Sequence, residues 1–165
     1  MQSRSESGMA TVTTPPRSYG NQGLSFGDQP GLPDARTAGI DEEIIGEVVE
    51  KFYQRARHDE QLGPIFETHV HDWDAHLKRM NDFWSAALLR TGRYSGRPVE
   101  RHRTVLGISE GHFDHWLELF EETVRDLCSA DQAEAFLVRA RRMRDGMVFV
   151  LGLGPRSRAS QGHTE

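Results

Sequence analysis

Apolar residues recur along the middle of this chain with helical spacing, and nowhere with the strict alternation of a half-buried strand. Ile45, Val48, Val49, Phe52, Tyr53 and Ala56 fall at intervals of three and four and predict one buried stripe. Asp41, Glu42 and Glu43 precede it, where negative charge favours a helix N-terminus. The run "EQLGPIF" predicts a short apolar turn, since Gly63 and Pro64 do not suit a long helix. Trp73, His76, Leu77, Met80, Phe83, Trp84, Ala87 and Leu88 predict a second long helix, ending before "RTGRYSGRP". Pro98 suits the first turn of a short helix. Phe113, Trp116, Leu117, Phe120, Val124 and Leu127 mark a further helix, and Ala133, Phe136, Leu137, Ala140, Met143, Met147, Val148 and Leu151 a long terminal one. The fold class is all-α.

The flanks read differently. Residues 1–38 are rich in Ser, Thr, Gly, Gln and Pro with scattered apolar residues, the composition of a segment that cannot offset its chain entropy, so they are expected to be a disordered extension. They carry no continuous apolar stretch of a secretory signal. Residues 155–165 are expected to be a polar tail, which leaves a working domain over 39–154. A formal charge of −5 argues against a nucleic-acid surface, and "MVFVLGLG", the longest apolar run, is too short to span a bilayer. Cys128 stands alone, which excludes an internal disulfide and suits a reducing, cytoplasmic compartment.

Some polar groups fall on apolar faces. Tyr53 sits beside Phe52 on the first stripe, His76 lies between Trp73 and Met80, and Trp116 carries an indole N–H into another. Val99, His102 and Leu106 fall at i, i+3 and i+7, so His102 is expected to share an apolar face while Arg101 and Arg103 point to its flanks. Singly, each pattern describes a polar group that finds a carbonyl inside an ordinary core. Together, four such groups on four helices would leave several donors unpaired at about 1–3 kcal/mol each, unless a shared buried ligand satisfies them.

In order along the chain, "FYQRARHDEQLGPIF", then W..H....NDFW, then Y.G.P...H...L, then "HFDHWLELFEET" resemble a group III truncated haemoglobin over about residues 42–150. The resemblance implies a truncated globin fold, two helices packed on two, around a b-type haem (iron protoporphyrin IX). It makes His102 the proximal iron ligand. It makes Tyr53, His76 and Trp116 the distal groups around a bound gas, with Phe52 packed next to them. Met80, Phe83 and Trp84 are expected at the cofactor's edge or in the core, together with Trp73, Phe113 and Phe120. One of Arg101 and Arg103 could reach a haem propionate.

The implied ligands are O2, NO, CO or another small molecule. Without a reductase domain in this stretch, redox chemistry such as nitric oxide dioxygenation or peroxidase-like turnover needs an external electron donor. The resemblance does not choose between such chemistry, oxygen transport or storage, and gas sensing; tight binding by two distal donors favours redox or detoxification chemistry. It leaves open whether His76 gates the pocket. A metal-carboxylate bundle would present Glu three residues before His, a spacing absent here: Trp73, Val99, Ser109 and His112 precede His76, His102, His112 and His115. A haem-free helical interaction module is the remaining alternative. His69 and His71, two apart, share no helical face, and His58 and His163 read as surface residues; the pair His112 and His115 lacks matching carboxylates for a metal.

Overall fold

The computed structural model describes residues 34–154, and every regular element among them is helical. Helix α1 spans Glu42–His58, α2 Gly63–His69, α3 Trp73–Leu89, α4 Pro98–Arg103, α5 Glu110–Leu127 and α6 Ala130–Leu151. The first stripe is buried as its spacing requires: Ile45, Val48, Val49, Phe52, Tyr53 and Ala56 are all inside. Asp41 caps α1 by accepting from the Ile44 N–H at 2.9 Å. Ser109 and Ser129 start α5 and α6 with reciprocal capping boxes, closed by His112 and Gln132. Gly152 ends α6 at φ 67°, a left-handed conformation that glycine adopts without a Cβ clash.

Two elements depart from the sequence pattern. The turn expected at "EQLGPIF" is instead the start of α2, because Pro64 sits in its first turn, where a missing N–H costs nothing. Helix α4 stops at Arg103, so Leu106 does not share a face with Val99 and His102; it is 95% exposed. The backbone tightens there, with Thr104 N–H donating to Arg101 O and Val105 N–H to His102 O, and Gly107 then turns the chain at φ 76°.

Residues 34–38, placed in the extension by composition, form a turn on the domain. Ala35 is buried, and Arg36 donates to the Leu89 carbonyl at 2.7 Å, at the end of α3. The remainder of the expected extension, and the expected tail at 155–165, lie outside the described residues.

Helix α1 packs on α3 and α5, and α5 on α6, so two helices lie over two. At the centre, Phe120 is stacked between Trp84 and Trp116, with ring centroids 4.9 and 5.3 Å away and nearly parallel planes. Phe52 and Phe136 meet the same ring edge-on. Phe120→Ala therefore opens a cavity between two indoles, and we expect a loss of about 3–5 kcal/mol in urea unfolding. A loss below about 1 kcal/mol would show that the stack collapses freely on the gap.

An ion pair holds the α1–α2 corner to α5. His115 Nε2 lies 2.7 Å from Asp59 Oδ2, while Asp59 Oδ1 accepts from the Gln61 and Leu62 N–H groups. The bond to Asp59 raises the His115 pKa above its usual value. Burial works to raise that of Asp59, but the Leu62 N–H, His115 and Gln61 outweigh it and lower it. Raised in the folded state, the His115 contribution is fully present below about pH 6.5 and fades as pH climbs through its folded pKa. Asp59→Asn keeps the oxygen that closes the turn and removes the charge. The stability difference between wild type and Asp59→Asn should therefore shrink from pH 6 to pH 9, read as urea midpoints; a constant difference would mean the pair contributes no charge coupling.

No described helix is long and apolar enough to cross a membrane.

Candidate functional site

The apolar interior is divided. The larger cluster gathers α1, α3, α5 and α6 around Phe52, Trp84, Phe120 and Phe136. A smaller one joins Phe113, Met147 and Val148, with Val99, Ile108, Leu151 and Leu153 packed against it, at the α4 end. The α4 backbone approaches α6 and no other described helix. The polar groups singled out by the sequence distribute between these two clusters.

Tyr53, His76 and Trp116 belong to the side of the larger cluster. The Tyr53 ring is edge-on to His76 at 4.9 Å, to Phe66 at 5.4 Å and to Phe52 at 5.0 Å; Phe52 in turn meets Trp116 at 5.7 Å. Trp73 closes the outer side, 5.6 Å from His76 and 6.1 Å from Tyr53, with the Arg57 guanidinium 4.3 Å over its own ring. Tyr53 is buried, and burial pushes its hydroxyl far above the usual phenol range, so it stays protonated and able to donate. Burial, then the charges of Arg79 and Arg101, lower His76 to about 4, so its imidazole is neutral near pH 7.

Among the described residues nothing hydrogen-bonds the Tyr53 hydroxyl or the Trp116 indole N–H, and the buried His76 Nε2 has no partner. Asn81 Oδ1, on the same helix, is a second such atom. An unsatisfied buried polar atom costs about 1–3 kcal/mol, and natural interiors hold few of them.

His102 belongs to the smaller cluster, tilted against Phe113 with ring centroids 5.6 Å apart. Its Nδ1 lies 2.7 Å from the Pro98 carbonyl, an acceptor only, so Nδ1 is the donor and, in the neutral ring, Nε2 is the nitrogen with the lone pair. That backbone contact also fixes the ring direction, as outer partners of metal-ligating histidines do.

The other expected residues are placed unevenly. Phe52 is buried between Tyr53 and Trp116, and Met80 is half-buried along α3. Trp84 is taken up in the Phe120 stack, and Phe83 packs edge-on against Trp84 and Tyr94. Arg101 and Arg103 are exposed on the flanks of α4. His112 serves as a cap and His115 as an ion-pair partner, while His58 and His69 each bond a carbonyl of their own helix. His163 lies outside the described residues. Cys128 is half-buried after α5, and burial raises its thiol to about 11. No group of three or more metal-ligating side chains gathers among the described residues.

Tyr94 opens the third motif, but the sequence assigned it no role. It lines a cavity of about 280 Å³ with Ala75, Lys78, Arg79, Asp82, Arg93, Ser95 and Gly96, and no periodic pattern marks a residue in that loop.

These residues fit a haem. One imidazole nitrogen clear of the Pro98 contact suits a single axial bond, two apolar clusters supply hydrophobic surface, and the unpartnered buried His76 Nε2 lies with the cluster that does not hold His102.

Comparison with known proteins agrees. The pattern of the bacterial-like globin family matches residues 37–149. The chain is 32% identical over 105 residues to the group 3 truncated hemoglobin ctb of Campylobacter jejuni, covering 61% of this chain and 83% of that protein. It is likewise similar to the crystal structure of a group III truncated hemoglobin from Campylobacter jejuni, at 30% identity and a TM-score of 0.65, over 68% of this chain and 91% of the other.

Proposed function

Since the chain belongs to the bacterial-like globin family, whose members bind small gases through haem, we propose that it holds a b-type haem through His102 and uses the bound gas for redox or detoxification chemistry. When bound, haem supplies an iron that takes a diatomic molecule and shifts electron density on to it. His102 Nε2 would be the protein's bond to that iron, with Nδ1 held by Pro98.

Toward a bound gas, Tyr53 would donate from a hydroxyl that burial keeps protonated, and Trp116 would donate from its indole nitrogen. His76 stays neutral and brings a polar atom without charge. Phe52, Phe66 and Trp73 exclude water around these donors, which strengthens their hydrogen bonds. The single observation that carries the reading is the buried His76 Nε2 without a protein partner, packed against Tyr53, whose hydroxyl no described residue engages.

O2, NO and CO are all chemically suited to these donors. Retention of polarised oxygen favours its reaction over transport. The absorption spectrum of the purified protein tests the proposal: a Soret band between about 400 and 430 nm is expected, and a pyridine haemochrome assay identifies the b-type. A colourless protein that takes up no added haemin would make the chain a haem-free helical module.

A further inference from the structure

The charge of this chain is sharply segregated. Residues 78–103 hold seven of its 20 Lys and Arg side chains and two of its 25 acids, a local excess of five positive charges, so the rest carries a net charge of −10. The structure draws three of these cations together from two elements. Lys78 and Arg79 of α3 and Arg93 of the following loop line one cavity beside Tyr94. Arg101 of α4 and Arg79 of α3 both carry a charge that acts on Tyr94 and His76.

Lys78, Arg93 and Arg97 are neutralised in part by Asp82, Glu42 and Glu100 at 2.8, 3.2 and 3.4 Å, and their side chains remain 77%, 54% and 71% exposed. Arg79, Arg101 and Arg103 make no ion pair among the described residues. Lys78 and Arg79 share α3 with His76, and Arg101 and Arg103 share α4 with His102.

We propose that this basic rim docks a small acidic electron-carrier protein. The inference rests on the haem reading, because a carrier must come close to the cofactor, and these cations lie on the two helices that carry His76 and His102. One electron leaves the carrier's reduced centre and takes ferric iron to ferrous, with no protein bond formed or broken. Charge selects the partner. A cationic face on an otherwise acidic protein orients an acidic carrier and repels its own far side, and such steering raises association rates by about 10- to 1,000-fold at low salt. An anionic membrane fits less well. Asp82 and Glu100 interrupt the rim, and the large exposed apolar residue beside it, Leu106, stands alone.

The experiment uses the purified, haem-loaded chain and an acidic [2Fe–2S] ferredoxin in its oxidised form, with binding followed by calorimetry. Binding is expected to weaken roughly tenfold or more between about 50 and 300 mM salt, where the Debye length shortens by more than half. Lys78→Glu/Arg93→Glu/Arg97→Glu reverses exposed charges alone and should weaken binding by a similar factor and create binding to basic cytochrome c. Lys51→Glu, an exposed cation on α1, should change affinity less than twofold.

Reduction of the ferric protein by reduced ferredoxin should slow with the triple variant, while reduction by dithionite stays constant. Unchanged ferredoxin affinity in the triple variant, or an equal loss in Lys51→Glu, overturns the docking face. Binding to phosphatidylserine vesicles in place of ferredoxin would assign the rim to a membrane and overturn it equally. The Soret band of the same samples tests the haem reading separately.

Discussion

His102→Ala is expected to leave a folded protein that retains little haem. The substitution removes the only histidine of α4, whose Nδ1 is held by the Pro98 carbonyl, and no other α4 side chain offers an imidazole nitrogen. Val99 and Phe113 would still offer apolar contact, so haem should bind weakly and leave easily, not fail to bind at all. Stability follows by linkage. A ligand present at a hundred times its Kd stabilises the native state by about 2.7 kcal/mol, and that increment should vanish from the variant. The haem-to-protein ratio after gel filtration and the urea midpoint with and without haemin measure both effects. His102→Gly with added imidazole provides the complementary arm, since a free imidazole can occupy the vacated space and restore a five-coordinate ferrous spectrum. If His102→Ala kept its haem and that spectrum without imidazole, the proximal assignment would be wrong.

Parts of this site were legible in the sequence because their signal is local. The α1 stripe is one: six residues at helical spacing predicted six buried residues, Tyr53 among them. Pro98 marked the start of α4 for an equally local reason, its fixed φ. The end of α4 was not legible. Val99, His102 and Leu106 match a helical template in a sequence that has the right spacing and the wrong backbone, because the tightened turn at Thr104 and Val105 and the left-handed Gly107 intervene.

Long-range pairings were invisible for another reason. Asp59 and His115 stand 56 positions apart, and Arg139 bonds the Ala87 carbonyl across 52. Trp84 shows the same limit within one helix. The period placed it inside correctly, but it could not say that Phe120 and Trp116 would take up its face. Tyr94 lies in a loop, where no period operates, and only the fold brings it beside Lys78 and Arg79.

Oxygen release from the loaded protein should be slow, and Tyr53→Phe with Trp116→Phe should make it fast. Each hydrogen bond to a charged acceptor contributes roughly 1.5–3 kcal/mol, and every 1.4 kcal/mol is about tenfold in a rate or equilibrium. Two such bonds to polarised dioxygen would slow its escape by roughly a hundredfold to ten-thousandfold if they add, although neighbouring groups often fall short of additivity.

The structure supports donation from both groups, since neither the Tyr53 hydroxyl nor the Trp116 N–H is engaged by a described residue. It also separates their surroundings. Tyr53 lies against His76 and Phe66, while Trp116 is anchored flat on Phe120, so removing one donor should leave the other in place. His76, lowered to about 4, contributes no titration between pH 5.5 and 8, and release should be flat over that range.

Stopped-flow displacement of oxygen from wild type, each single variant and the pair decides the matter. At least one single substitution should speed release tenfold or more, and the pair should speed it further. A protein that lets go of oxygen so slowly is a poor carrier, which is why its retention favours reaction of the gas in the pocket. Similar, rapid release from all four proteins would remove both the distal donors and the case against transport.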